Sequence, residues 1–138
     1  MTRRAARFLV PCLLASAALA GCGADPTGPT GDMQAVRSDA ELQARFTQSH
    51  KPTVAFFYQP TCPHCRRMVP ALTELSEQYS DRVEFVKING MTSPLGRRHD
   101  IRGYPTVLVF VDGREVKRLR GEKFKGVYEG AIRDALGM

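Results

Sequence analysis

Two cysteines separated by two residues are the most reactive feature of the sequence. Cys62-Pro63-His64-Cys65 follows the apolar run Val54 to Tyr58 and precedes a stretch with helical apolar spacing. A C-x-x-C pair at a junction between a strand and a helix is typical of a redox centre that forms and breaks a disulfide. The sequence therefore predicts thiol–disulfide exchange.

Within the pair, the first cysteine is the predicted nucleophile. Pro63 suits the first position of a helix, which leaves Cys62 as the N-cap with its sulfur facing unpaired backbone N–H groups. His64, when protonated, and Arg66 would add positive charge that favours the thiolate of Cys62. Cys65 would then resolve the mixed disulfide. The Cys62–Cys65 pair would carry the electrons itself, so we expect no other cofactor.

Two plainer interpretations of the pair remain open. The same spacing supplies half of a zinc site, although the chain has no second such pair and His50 and His99 stand in no recognisable ligand spacing. The pair could also be a purely structural disulfide, since thiols outside the cytosol are no longer kept reduced. We expect no bound metal.

Residues 1–21 are expected to be an export signal rather than part of a fold. Their arginines, Arg3, Arg4 and Arg7, precede an apolar run from Phe8 to Ala20, which is shorter than the roughly 20 residues that cross a bilayer as a helix. The following Leu19-Ala20-Gly21-Cys22 resembles the lipobox of bacterial lipoproteins. That resemblance implies cleavage before Cys22 and lipidation of Cys22, whereas an ordinary signal peptide cut near Ala20 is the alternative.

The predicted anchor determines the expected location and partners. Residues 22–32 would be a lipidated cysteine and a flexible linker without large apolar side chains, which holds the domain near the cell membrane or outer membrane on the extracytoplasmic side. Exported protein thiols and disulfides, a membrane redox partner and membrane lipid are the expected partners. Subtracting the arginines of residues 1–21 from a formal charge of +6 leaves +3, too little to indicate nucleic-acid binding. We expect a monomer.

The elements that must position the cysteines follow from the apolar periodicity of residues 33–138. Strands are predicted at Met33 to Val36, Val54 to Tyr58, Val83 to Ile88, Thr106 to Val111 and Glu115 to Leu119, and helices from Ser38 or Asp39, at Pro63 to Tyr79, near Ser93 to Asp100 and at Phe124 to Leu136. Asp112-Gly113 predicts a tight hairpin turn between the last two strands. This order predicts a single α/β domain with a mixed sheet flanked by helices.

The same residues resemble the thioredoxin family over nearly the whole predicted domain. The segment Phe57 to Cys65 is similar to the family's central strand and active-site loop, and Pro70 matches the proline within its active-site helix. Lys87 matches a buried lysine behind the cysteines, and Arg102-Gly103-Tyr104-Pro105-Thr106 matches the loop that faces them. The resemblance implies a thioredoxin-like fold and a protein thiol–disulfide oxidoreductase.

The resemblance also implies a substrate-binding role for the loop at Tyr104, Pro105 and Thr106. The Tyr104–Pro105 bond should be cis, with the Tyr104 backbone pairing to a substrate peptide as an added strand. Pro105 should keep metals away from the cysteines, and Lys87 should lie behind them.

The sequence departs from the family pattern at Phe56, where thioredoxins carry a buried aspartate, so Lys87 would lack its usual partner. The Pro63-His64 dipeptide resembles that of bacterial oxidases that introduce disulfides, although those carry an inserted helical domain for which this chain has no room. The direction of exchange, reductase or oxidase, is therefore left open. A membrane-tethered peptide-binding module without redox turnover is the alternative function.

Overall fold

The structure is a computed structural model that describes residues 33–138. The predicted signal peptide, the lipidation of Cys22 and the linker lie outside the described residues. The described part contains strands β1 (Gln34–Ala35), β2 (Thr53–Tyr58), β3 (Glu84–Asn89), β4 (Thr106–Val111) and β5 (Arg114–Arg120), and helices α1 (Asp39–Ser49), α2 (Pro63–Gln78), α3 (Leu95–Arg98) and α4 (Lys125–Ala135). The predicted order of elements is confirmed, with bounds that differ by one or two residues.

The strands form a five-stranded sheet in the order β1-β3-β2-β4-β5. Strands β1, β3 and β2 are parallel, whereas β4 runs antiparallel to β2 and β5 antiparallel to β4. All six residues of β2 are buried because the strand has a neighbour on each side and helices on both faces. The predicted α/β class with a mixed sheet is confirmed.

Successive side chains of the central strands point to opposite faces of the sheet, so the core is divided between the two faces. One face, here called the α2/α4 face, is packed by those helices, and its core includes Phe56, Cys65, Met68, Leu72 and Tyr128. The other, here called the α1/α3 face, has a core formed by Val36, Leu42, Phe46, Ala55, Phe57, Val86, Ile88, Leu95, Leu108 and Phe110. The ladders of β2 with β3 and with β4 keep their register, whereas the ladder between β4 and β5 shifts between Val109 and Phe110.

Local sequence explains where α1 begins and how the chain turns between β4 and β5. Ser38 caps α1, since its side chain accepts a hydrogen bond from the Glu41 N–H at 3.3 Å. Asp112 and Gly113 have φ angles of 50° and 75°, the left-handed pair that a tight hairpin turn requires. A Cβ at Gly113 would also lie 3.4 Å from the Phe46 ring.

No helix within residues 33–138 is long and apolar enough to cross a membrane.

Candidate active site

The junction between β2 and α2 places Cys62 at the positive end of a helix. Strand β2 ends at Tyr58, and Pro63 occupies the first turn of α2 with Cys62 as its N-cap. The Cys65 N–H donates a hydrogen bond to the Cys62 Sγ at 3.3 Å. Because the first turn of a helix leaves backbone N–H groups without partners, this geometry favours negative charge on the Cys62 sulfur.

The second cysteine lies behind the first, within the core. Cys65 is fully buried, whereas Cys62 is half-buried, and both are free thiols in this structure. Burial, followed by a hydrogen bond to Cys62, raises the pKa of Cys65 to about 12. In the dithiol state the two sulfurs therefore differ in role: the outer one reaches solvent and the inner one holds its proton.

The loop before β4 approaches the cysteines from the opposite side. The Tyr104–Pro105 peptide bond is cis, as the resemblance implied. The Cys62 Sγ lies 3.7 Å from the Tyr104 carbonyl oxygen, to which the thiol donates. On the far side of the loop, the Gly121 N–H donates to the Pro105 carbonyl at 2.8 Å. The loop is thus held between the nucleophile and the segment that follows β5.

The side chain of Tyr104 turns away from the cysteine and into the fold. A Cβ built on Gly90 would lie 2.0 Å from the Tyr104 hydroxyl, so only glycine leaves space for this ring. Tyr104 packs against the cores of both faces of the sheet. This packing anchors the loop while the Tyr104 backbone stays beside Cys62, and burial raises the pKa of the Tyr104 hydroxyl.

Thr106, predicted as a substrate-binding residue, is buried at the start of β4. Its hydroxyl donates to the Gly103 carbonyl at 2.9 Å, and its backbone lies in the ladder between Phe57 and Arg120. The structure thus assigns its side chain to closing the loop that holds Tyr104 and Pro105.

The exposed ring of His64 lies beside Glu122 and Arg67. Its Nδ1 lies 2.8 Å from the Glu122 Oε2 and 2.6 Å from the Arg67 Nη2. One ring nitrogen cannot donate to the carboxylate and accept from the guanidinium at once, so which of the two contacts is a hydrogen bond depends on the tautomer of the ring. Arg67 also donates to both Glu122 oxygens at 2.7–3.1 Å, and together Arg67 and His64 lower the pKa of Glu122 to about 2.

Arg67 and Glu122 were missed by sequence reasoning, which had emphasised Arg66. Arg66 donates to the Pro60 carbonyl at 3.3 Å, whereas Arg67 is the cation whose charge interacts with Cys62. The helical i,i+3 spacing of His64 and Arg67 was a usable signal. Glu122 had none, because it reaches the site only through the path of β5.

Lys87 and Phe56 stand side by side in the register of β3 and β2. Their shared direction places Lys87 on the α2/α4 face, the face that contains Cys65, and Lys87 is only 8% exposed. Phe56 is fully buried in the cluster that contains Cys65. An apolar ring thus stands at the position where the resemblance implies a carboxylate.

Comparison with known proteins agrees with this geometry. The thioredoxin family model matches residues 33–133. The chain belongs to the thioredoxin family. A thioredoxin of Alicyclobacillus acidocaldarius is 34% identical over 100 residues, which cover 72% of this chain and 94% of that protein. Thioredoxin 1 of Synechococcus elongatus is 34% identical over 85 residues, covering 61% of this chain and 79% of its own.

Solved thioredoxin structures share the fold. Thioredoxin NaTrxh of Nicotiana alata superposes with a TM-score of 0.68 at 30% identity, covering 77% of this chain and 94% of that one. Oxidised mitochondrial thioredoxin 3 of Saccharomyces cerevisiae has a TM-score of 0.68 at 27% identity, with coverage of 74% and 94%.

This thioredoxin-family chain is a thiol–disulfide oxidoreductase whose redox-active residues are cysteines. The family membership does not favour the alternative of a binding module without redox turnover. Within residues 33–138, the structure brings together no group of three His, Cys, Asp or Glu side chains suited to a metal ion.

Proposed function

We propose that this oxidoreductase acts outside the cytoplasm, held to a membrane by a lipid on Cys22, and exchanges disulfides with exported proteins. Its chemistry is supported above all by one observation: Cys62 caps α2 with its sulfur 3.7 Å from the Tyr104 carbonyl of the cis-proline loop. Its location is supported by the charged, apolar and lipobox-like segments of residues 1–22.

The proposed reaction uses only the two cysteines and a substrate disulfide. The Cys62 thiolate attacks one substrate sulfur, forming a mixed disulfide and releasing the other substrate sulfur as a thiolate. Cys65 then loses its proton and attacks the Cys62 sulfur, which releases the second substrate sulfur. Two electrons pass to the substrate as the Cys62–Cys65 disulfide forms, and the released thiolates take up protons. The reverse sequence oxidises a substrate dithiol.

Substrate would pair with the backbone of the cis-proline loop. The Tyr104 N–H has no hydrogen-bond acceptor among residues 33–138, and the Tyr104 carbonyl faces Cys62. An extended peptide could therefore add to this edge as a strand and place its sulfur against the nucleophile. Pro105 fixes the edge, and its own carbonyl is already occupied by Gly121.

Trapping tests the chemistry and the substrates together. In a Cys65→Ser variant the mixed disulfide on Cys62 cannot be resolved, so exported proteins should accumulate on the variant and be released by dithiothreitol. A Cys62→Ser/Cys65→Ser variant is the matched control and should trap nothing. Capture of cytosolic proteins only, in living cells, would contradict the proposed location.

Lipidation requires its own experiment. Cys22→Ala should prevent incorporation of labelled palmitate and release the protein from membranes, because two acyl chains provide stable anchoring. Cys12→Ala is the matched control and should leave labelling unchanged. Membrane attachment that survives Cys22→Ala would contradict the lipid anchor.

The direction of exchange is decided by the reduction potential of the Cys62–Cys65 pair. Equilibration against a dithiothreitol series gives this value. A potential of roughly −270 mV, as in thioredoxin, would make the protein a reductase supplied with electrons by a membrane partner. A potential of roughly −120 mV would make it an oxidase that a membrane partner reoxidises.

A further inference from the structure

An open groove of about 730 Å³ lies beside the active site. It extends from the cis-proline loop to the start of α4. Its lining includes Tyr104 and Pro105 on one side and Glu122, Lys123, Phe124 and Val127 on the other. A peptide bound against Tyr104 would therefore continue into this groove.

Two apolar side chains of the groove are exposed to solvent. Phe124 is 89% exposed and Val127 is 43% exposed. The segment that carries Phe124 is pinned, because the Tyr128 hydroxyl accepts from the Lys123 N–H at 2.9 Å and the Phe124 carbonyl accepts from the Val127 N–H at 3.0 Å. A large apolar side chain held in water by a fixed backbone indicates a contact surface for an apolar partner.

The charge around the groove is positive and is not compensated within the described part of the chain. The groove's carboxylate, Glu122, is already paired with Arg67. Lys123, which lines the groove, is exposed and has no ion pair within residues 33–138. Arg66, one residue from Cys65, is exposed and bonded only to a carbonyl. A partner that enters this groove therefore meets the unpaired cation of Lys123.

We propose that the groove selects substrates in which an extended segment carries both a large apolar side chain and an acidic side chain close to the reactive cysteine. The apolar side chain packs on Phe124 and Val127, and the acidic one pairs with Lys123. The inference rests on the proposed exchange with protein disulfides, and it names the chemical class of segment that the site prefers.

Synthetic peptides provide the test. Each peptide carries one cysteine, capped as a mixed disulfide with 2-mercaptoethanol. Glu, Gln or Lys is placed at each of the two positions before and the two positions after this cysteine. A second set replaces a neighbouring Phe by Ser. The reduced full-length chain in detergent is mixed with each peptide, and the second-order rate of exchange is measured at 0.05 M and 0.5 M KCl.

At the peptide position that lies nearest Lys123, a peptide with Glu should react about tenfold faster than one with Lys at low salt. The reason is that Glu is attracted to Lys123, whereas Lys is repelled by it. High salt should remove most of this difference. Lys123→Gln should reduce the Glu-to-Lys ratio, and Phe124→Ser should reduce the preference for Phe over Ser. Arg114→Gln, an equal loss of charge at the far end of β5, should leave both ratios unchanged.

Distinct outcomes would overturn the inference and the proposed function. Equal rates for Glu and Lys peptides at every position would overturn the inference while leaving exchange itself intact. So would a ratio that falls equally in Lys123→Gln and Arg114→Gln, because the effect would then be one of net charge. Absence of exchange with every peptide would overturn the proposed function, and the inference with it.

Discussion

The two faces of the sheet are built from different kinds of side chain. The buried cluster of the α1/α3 face is accompanied by two buried hydroxyls, those of Thr53 and Thr106, which alternate onto that face from β2 and β4. The α2/α4 face contains the Cys65 thiol, the Tyr128 hydroxyl and the flank of Lys87 within an otherwise similar core. Polar groups are costly to bury unless they have partners. The Cys65 thiol lies on the α2/α4 face, which therefore carries the chemistry, whereas the α1/α3 face mainly supports the fold.

The polar groups of the α2/α4 face are arranged around the cysteines. Tyr128 contacts the Met68 sulfur and accepts from the Lys123 N–H, which links the core to the groove. Burial raises the pKa of Tyr128 to about 12, so its hydroxyl stays neutral. Tyr104 packs against both clusters. The cis-proline loop is thus the point at which the supporting face and the reactive face meet.

The largest expected effect comes from the reactive face. Cys62→Ser should abolish dithiothreitol-dependent reduction of a protein disulfide, because it removes the nucleophile. The midpoint of thermal unfolding should change little, since Cys62 is half-buried at a helix end. Insulin turbidity and calorimetry measure the two quantities. Full activity in this variant would show that Cys62 is not the nucleophile.

Core truncations should separate the two faces. Leu108→Ala on the α1/α3 face and Leu72→Ala on the α2/α4 face remove fully buried leucines, so each should lower the free energy of unfolding by about 2–5 kcal/mol. Well below the unfolding midpoint, only Leu72→Ala should also change the rate of exchange, since its cluster contains Cys65. Urea unfolding and exchange rates check this. Equal losses of rate would show that the division between faces does not hold.

Gly90 tests the junction between the faces. In Gly90→Ala the new Cβ would lie 2.0 Å from the Tyr104 hydroxyl, so the ring must move and the loop with it. We expect kcat/KM for a protein disulfide to fall about tenfold, which corresponds to about 1.4 kcal/mol. Gly90→Ala/Tyr104→Val should recover part of this loss because it removes the clash. Gly126→Ala, where a Cβ meets nothing within 4 Å, is the control.

The buried thiol predicts how stability depends on pH. The pKa of Cys65 is raised from 9.0 to about 12 in the folded dithiol form, so above pH 9 the unfolded chain loses this proton first. The stability that Cys65 contributes is therefore fully present below about pH 9 and is lost as the pH rises toward 12, by at most about 1.4 kcal/mol per pH unit. Urea unfolding of the dithiol form, compared with Cys65→Ala, measures this slope. Identical slopes would exclude Cys65 as the cause.

The smallest expected effect concerns the charges beside Cys62. Glu122 carries a negative charge that Arg67 and His64 stabilise, which lowers its pKa to about 2. Glu122→Gln leaves Arg67 without its counter-charge, which should favour the Cys62 thiolate and speed its alkylation by iodoacetamide about twofold at pH 7. Glu115→Gln removes a similar partner of Arg118 far from the site and should have no effect. Slower alkylation in Glu122→Gln would reverse the assigned role of this carboxylate.

Much of the fold could be predicted because its signals are local. The apolar run of β2, the cap at Ser38 and the Asp112-Gly113 turn each depend on residues close in the chain, and each is present in the structure. The position of Cys62 at the start of a helix followed in the same way from Pro63. Helix and strand ends were shifted by a residue or two because they depend on contacts with neighbouring elements.

The contacts of the site that could not be predicted join distant segments. Glu122 meets His64 and Arg67 only because β5 returns alongside β4, and Gly90 meets Tyr104 only because β3 and β4 flank β2. A single sequence carries no local pattern that predicts contacts between segments so far apart in the chain.

The sequence by itself determined the chemistry of this protein and the order of its elements. The Cys62–Cys65 spacing, the proline after Cys62 and the periodicity around them depend on local backbone preferences and on short-range apolar patterning. Only the tertiary structure decided which charge lies beside Cys62, which glycine holds Tyr104 and which exposed phenylalanine borders the active site. Those relations depend on the packing of elements far apart in the chain, and packing is a property of the whole fold.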